Sequence, residues 1–268
     1  MKLLAIDMDG TLLNSKGHVS PENRQALSNF ITHAAGTIAI CSARPLNTLL
    51  KLLDTQQILH LVRYVAGFNG GQIFDCMENR LLFERVMTEA EMRDVNEAVK
   101  LKLYDHHFFT ANKILHHTDK PVSQYSRYEA NVFGLPLETY SLTEIYNAND
   151  IFKITLCEDE FSIPLLQKKI EQHLPVGIDC MVTGANYIDI QPVGIDKGCV
   201  VDKIKTLLKL NVKDVIAIGD QQNDMPMFNA AGTKIAMGNA VKALQQVADV
   251  VTLDNDQHGV AYAIKHLI

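Results

Sequence analysis

The sequence predicts an α/β protein, a doubly wound parallel sheet with an inserted α+β cap domain, and three observations carry that prediction. Apolar runs at Leu3–Ile6, Thr37–Cys41 and Val215–Ile218 lack polar alternation, as strands buried on both faces do. Helical stretches with start and stop signals follow those runs at both ends of the chain. Between them lies a middle segment of short alternating or aromatic runs and separate helices, which fits hairpins and not more parallel layers. The core is expected over residues 1–82 and 189–268, and the insert over 83–188.

Taken in order, Leu3–Ile6 stops at two acids, Asp7 and Asp9, with Gly10 breaking the chain direction behind them. Such a pair suits a hard cation such as Mg²⁺, with one acid ligating and attacking while the other moves protons. Ser20-Pro21-Glu22 starts a helix with a cap, a first-turn proline and a dipole-favouring acid; Gly36 is its expected stop. The second strand ends at Ser42-Ala43-Arg44-Pro45, where a polar side chain faces a helix N-terminus, a natural anion site. Val62–Ala66 is a third strand, and Gly67-Phe68-Asn69-Gly70-Gly71 behind it allows either close backbone approach or a plain turn. Gln72–Asp75 and Leu81–Val86 bracket a hairpin.

In the insert, Thr88-Glu89-Ala90-Glu91 and Ser141-Leu142-Thr143-Glu144 are capping boxes. Met92, Val95, Ala98 and Val99 share one face of the first of these helices, and a third helix is expected around Pro164–Leu174. The pairs His106-His107 and His116-His117 invite a metal reading, but neighbours on a strand point to opposite faces, so exposed or partly packed residues are expected. Tyr125, Arg127 and Tyr128 read as a solvated loop. Strand–helix alternation resumes with Asp196-Lys197-Gly198 opening a helix, and Val215–Ile218 ends in Gly219-Asp220-Gln221-Gln222-Asn223-Asp224.

Composition narrows the function. With 268 residues, 47% hydrophobic and 21% charged, the chain is an ordinary globular protein. A net charge of −6 argues against nucleic acid and requires a cation wherever phosphate is handled. Five scattered cysteines without a Cys-x-x-Cys pair fit reduced thiols, and neither a signal pattern nor a membrane-length apolar run is read, so a cytoplasmic protein without membrane partners is expected.

In a doubly wound sheet the ligand sits beyond the carboxyl ends of the strands, so Asp7, Ser42, Lys197 and Asp220 can meet at one rim. Asp7-Met8-Asp9-Gly10-Thr11, Ser42, Lys197 and Gly219-Asp220-x-x-Asn223-Asp224 resemble, in order and spacing class, the four motifs of the haloacid dehalogenase superfamily. The insert, Met237-Gly238-Asn239-Ala240 and Asp256-Gln257-His258-Gly259-Val260 resemble its Cof-type branch, with a C2-type cap of the C2B kind. Ser42-Ala43-Arg44 departs from the frequent Thr-Gly-Arg, and Gln221-Gln222 from a smaller residue.

The resemblance implies a Mg²⁺-dependent phosphatase of sugar phosphates or similar small metabolites. Asp7 would be the nucleophile, Asp9 the acid and base, and Lys197 the charge-offsetting cation; Asp7, Asp9 through its carbonyl, Asp220 and Asp224 would be the metal site. Gly10, Ser42, Ala43, Arg44 and Asn223 are the candidate phosphate- and substrate-binding residues, while Arg44 and Asn69 stay open between lining the site and a structural role. A phosphomutase and a non-catalytic phosphometabolite sensor are the alternatives, and a monomer or weak homodimer is expected.

Overall fold

The computed structural model describes residues 1–267, with Ala34 described by its backbone alone. The chain forms two compact units: Met1–Phe83 with Asp196 onward, and Glu84–Ile195.

The first unit is built on a sheet of eight strands among the described residues. In chain order they are β1 Leu3–Asp7, β2 Thr37–Cys41, β3 Tyr64–Gly67, β4 Gln72–Asp75 and β5 Arg80–Glu84, the last ending on the first residue of the second unit. Strands β6 to β11 belong to the second unit, and β12 Val215–Gly219, β13 Thr233–Ala236 and β14 Val250–Val251 complete the first. The spatial order is β14-β13-β12-β1-β2-β3-β4-β5. Strands β1, β2, β3, β12, β13 and β14 pair in parallel, and β4 runs antiparallel to β3.

Every residue of β1, β2 and β12 is buried, which is why these strands read as continuous apolar runs. Strand β1 lies between β2 and β12, and the order reverses there. The carboxyl ends of these three strands therefore form the crevice of a doubly wound sheet.

Helices α1 Pro21–Ala34 and α2 Leu46–Thr55 precede the insert; α7 Lys197–Leu208, α8 Met225–Asn229, α9 Lys242–Val247 and α10 Gly259–His266 follow it. Ser20 caps α1 by accepting from the Asn23 amide, as its sequence predicts. The stop differs: Ala35, not Gly36, takes the left-handed conformation. Gly36 is needed for space, because a Cβ there would sit 2.1 Å from the Phe30 ring.

The second unit carries a sheet of order β10-β11-β9-β6-β7-β8: β6 Asp105–Phe109, β7 Ile114–His117, β8 Leu137–Tyr140, β9 Lys153–Cys157, β10 Ile178–Gly184 and β11 Tyr187–Pro192. Its pairings are antiparallel except β7 with β8. Met92 and Val95 of α3 Glu89–Val95, Ile145 of α5 Leu142–Tyr146, and Ile163, Leu166 and Ile170 of α6 Ile163–Glu171 form an apolar core with Phe108, Ile154, Leu156, Ile188 and Ile190. Both predicted capping boxes are present, Thr88 with Glu91 and Ser141 with Glu144.

Three expectations for this segment need correction. The second part of the core resumes at Asp196 instead of residue 189, because β11 pairs with β9 and β10 through Ile190 and beyond. Tyr125, Arg127 and Tyr128 lie on a helix, α4 Gln124–Phe133, with Ser123 as N-cap and Gly134 in the left-handed C-cap position. Its inward residues are Ser126, Glu129 and Ala130, so no apolar stripe marked it. His106, His107 and His116 are buried instead of exposed or partly packed, since β6 and β7 are interior strands. Adjacent histidines do diverge: the His106 ring meets the Tyr104 carbonyl, whereas His107 meets Ser126 and Glu129 of α4. Burial pushes His106 down to about 4. Among the described residues no helix is long and apolar enough to cross a membrane.

The Thr88 box satisfies two amide donors reciprocally. Thr88→Ala is expected to destabilise the second unit by about 1 kcal/mol, read as a lowered thermal midpoint.

Candidate active site

Asp7 is the last residue of β1, and the backbone turns sharply behind it because Gly10 adopts φ +76°. A Cβ on Gly10 would also lie 2.4 Å from Asp220 Oδ2, so glycine lets the turn after β1 press onto the carboxylate that follows β12. The Thr11 hydroxyl donates to Asp220 Oδ1 at 2.9 Å and fixes that carboxylate's orientation. Asn239 Nδ2 donates to the Gly10 carbonyl at 2.8 Å, and Asn255 Nδ2 donates to the Leu13 carbonyl at 2.9 Å. Residues far along the chain thus pin the turn.

Lys197 is the first residue of α7, whose N-cap Asp196 accepts from the Cys199 amide. Its ammonium donates to Asp7 Oδ1 at 2.5 Å and to Asp224 Oδ1 at 2.6 Å, and all three side chains are buried. The other Asp224 oxygen accepts from the Asp220 and Gln221 amides at 2.8 and 2.9 Å. Asp224 therefore anchors Lys197 and the loop after β12 together. Gly219 makes room for it, since a Cβ there would meet the Asp224 side chain at 2.5 Å.

Asp7, Asp220 and Asp224 can each offer a carboxylate oxygen within 4.8 Å of the others. Three buried carboxylates face one ammonium, which leaves negative charge uncompensated. Burial raises Asp7 well above the carboxylate range; Lys197 opposes the rise, and Asp224 and Asp220 add to it. Burial and Asp224 likewise push Asp220 up to about 6. Burial would strip the proton from Lys197, but Asp224 and Asp7 outweigh it and raise its pKa, so it stays cationic. A hard-oxygen donor set carrying excess charge fits a divalent cation.

The remaining predicted residues are distributed differently. The Asp9 carboxylate is half exposed and stands outside this cluster, clasped by Arg44: Nε donates to Oδ2 at 2.7 Å and Nη2 to Oδ1 at 2.6 Å. Arg44 thus holds an acid here, where its sequence left lining the site and a structural role both open. Ser42 is buried at the end of β2 and does not cap α2, which starts four residues later at Leu46. Ser42 Oγ instead accepts from the Arg44 amide, in the turn that contains Ala43. Asn223 is buried and donates through Nδ2 to Asn69 Oδ1 at 3.2 Å.

Thr11 and Asn255 went unassigned in the sequence. The hydroxyl two places after Asp9 was the available signal for Thr11; Asn255 gave none, because its contact spans 242 residues.

A doubly wound sheet with a buried acid–ammonium–acid array at its carboxyl rim defines an α/β protein with a preformed polar site where such folds bind ligands. The chain belongs to the haloacid dehalogenase-like hydrolases, whose family pattern matches residues 4–264. It is 27% identical to phosphatase YwpJ of Bacillus subtilis, over 100% of both chains. It is 28% identical to the 5-amino-6-(5-phospho-D-ribitylamino)uracil phosphatase YwtE of the same organism, over 100% of this chain and 98% of that one. Among solved structures, a haloacid dehalogenase-like hydrolase from Bacteroides thetaiotaomicron superposes with TM-score 0.82 at 25% identity, covering 100% and 99% of the two chains. The subclass IIB sugar phosphatase BT4131 superposes with TM-score 0.84 at 22% identity, covering the same shares.

Two substitutions test the array. Gly219→Ala should displace Asp224 and lower kcat by about 10²-fold or more while the chain stays folded by circular dichroism. Thr11→Val should weaken activation by a divalent metal about 10- to 100-fold, read from the metal concentration at half-maximal rate.

Proposed function

We propose that this protein is a Mg²⁺-dependent phosphomonoesterase that hydrolyses phosphate esters of small metabolites, sugar phosphates foremost, through an aspartyl-phosphate on Asp7. The observation that carries the reading is the Lys197 ammonium bridging buried Asp7 and Asp224, with the Asp220 carboxylate beside them. Nucleophile, fixed cation and metal-binding acids stand together, which is what phosphoryl transfer requires. The inserted unit would be the cap, of the C2B kind.

Asp7 would attack phosphorus as the bond to the leaving oxygen breaks, and Asp9 would protonate the departing alcohol. Asp9 would next take a proton from water as that water attacks the aspartyl-phosphate, releasing phosphate and restoring Asp7. Arg44 holds both Asp9 oxygens, so that pair would open before Asp9 reaches a leaving group. Asp7, the Asp9 carbonyl and Asp220 would hold Mg²⁺, with Asp224 in support. A divalent ion held there would supply positive charge to offset that of the phosphoryl group. Lys197 keeps Asp7 in place and offsets the crowding of acids.

Two observations favour a polyhydroxylated leaving group: YwtE is named for a phosphoribityl substrate and BT4131 as a sugar phosphatase. A panel of sugar and sugar-alcohol phosphates, compared by kcat/KM, tests the substrate class; faster turnover of phosphates lacking hydroxylated carbons would refute it.

Asp7→Asn is expected to lower Mg²⁺-dependent phosphate release from an aryl phosphate by at least about 10³-fold. Asp9→Asn should cost about 10²- to 10⁴-fold in kcat. A pH effect also follows. Asp220 is raised from 3.8 to about 6, so the folded metal-free protein binds this proton more tightly than the unfolded chain does. Its contribution to stability is lost as pH rises through that window, and a metal competes with the same proton. Mg²⁺ should therefore raise the thermal midpoint more at pH 7.5 than at pH 5.

A further inference from the structure

We infer that Asn69 is a positioning residue for the phosphoryl site, acting through Asn223; the inference rests on the reading that Asn223 lines that site. Asn69 sits in a turn where three consecutive residues have positive φ: Phe68 at 52°, Asn69 at 54° and Gly70 at 111°. For a residue as bulky as phenylalanine this conformation is strained, and such strain persists where the surroundings over-determine it.

Those surroundings come from three separate site segments. The Phe68 amide donates to the Arg44 carbonyl and the Asn69 amide to the Ser42 carbonyl, both at 2.9 Å, which ties the turn to the loop after β2. Gly70 lies against the start of α7: a Cβ there would be 2.8 Å from the Asp196 carbonyl and 2.9 Å from Val200 Cγ2. Lys197 stands directly after Asp196. The third link is the side chain, whose Oδ1 accepts from Asn223 Nδ2 at 3.2 Å.

The amide orientation of Asn69 is informative. To present Oδ1 to Asn223, the side chain leaves its own Nδ2 without a hydrogen-bond partner among the described residues, although Asn69 is 0% exposed. A buried donor without an acceptor is rare, and scaffolding needs none at a turn that a second glycine would make more easily. Asparagine combines tolerance of the left-handed region with an acceptor placed for Asn223. The turn therefore sets the orientation of the Asn223 amide and holds the segments bearing Ser42 and Lys197 in register with it.

The test is a double-mutant cycle on Mg²⁺-dependent hydrolysis of p-nitrophenyl phosphate, using Asn69→Gly, Asn223→Ala and the pair, with thermal midpoints recorded alongside. Asn69→Gly keeps the backbone conformation and removes the acceptor. We expect each single change to lower kcat/KM by about 10-fold or more, and the pair to be within about twofold of Asn223→Ala alone. A loss below about twofold for Asn69→Gly, or losses that multiply, would overturn the inference. If Asn69→Gly does not fold, Asn69→Asp replaces it, retaining an acceptor oxygen and tolerance of positive φ. Asn223→Ala should then still cost its full factor in that background, and no cost would count against the inference. Asp7→Asn runs in parallel: retained turnover there would refute the proposed chemistry, whereas an inactive Asp7→Asn beside an additive cycle would refute only the role of Asn69.

Discussion

The structure of the core depends on one buried ammonium. Lys197 has 1% of its surface exposed and lies between Asp7 and Asp224, donating to one oxygen of each. Taking charges out of water costs several kcal/mol per ion, and a pair recovers that cost only with close, well-directed contacts. Here each contact also fixes a segment: Asp7 the end of β1, Asp224 the loop after β12, Lys197 the start of α7. The same groups that suit the chemistry bind three parts of the sheet rim to one another.

One ammonium does not balance three acids, and that imbalance gives the array its character. Burial and mutual repulsion raise Asp7 and Asp220, so the metal-free site favours uptake of a proton or a cation. The carboxylates are oriented beforehand: Asp220 by Thr11 and Asp224 by two backbone amides. Groups held in this way need little reorganisation when charge develops during a reaction, and electrostatic stabilisation gains most from that condition. Glycines at 10 and 219 are the steric counterpart, since side chains there would occupy the space of Asp220 and Asp224.

The core was legible because its signals are local. Unbroken apolar runs mark strands buried on both faces, and Ser20, Thr88 and Ser141 announce their helices within four residues. The motif acids and Lys197 could be assigned because strand ends in this topology converge. Helix α4 escaped because it docks through Ser126 and Glu129 against His107, a polar contact that hydrophobic periodicity does not register. The burial of three histidines escaped for a related reason, since an interior position in a sheet depends on which strands flank it. Arg44 kept its reading open for a physical cause as well: a guanidinium fork fits a carboxylate and a phosphate equally, and only the placement of Asp9 shows which partner it holds here.

Strand β1 lies beside β12, and the Thr11–Asp220 contact joins residues 209 positions apart. At ribosomal speeds of about 5–20 residues per second, roughly 10 to 40 s separate the emergence of these two residues. Until β12 has been made, the flank of β1 that pairs with it in the finished sheet has no partner strand. The array is thus completed late, and an interrupted nascent chain would carry the first carboxylate without the ammonium and acids that surround it.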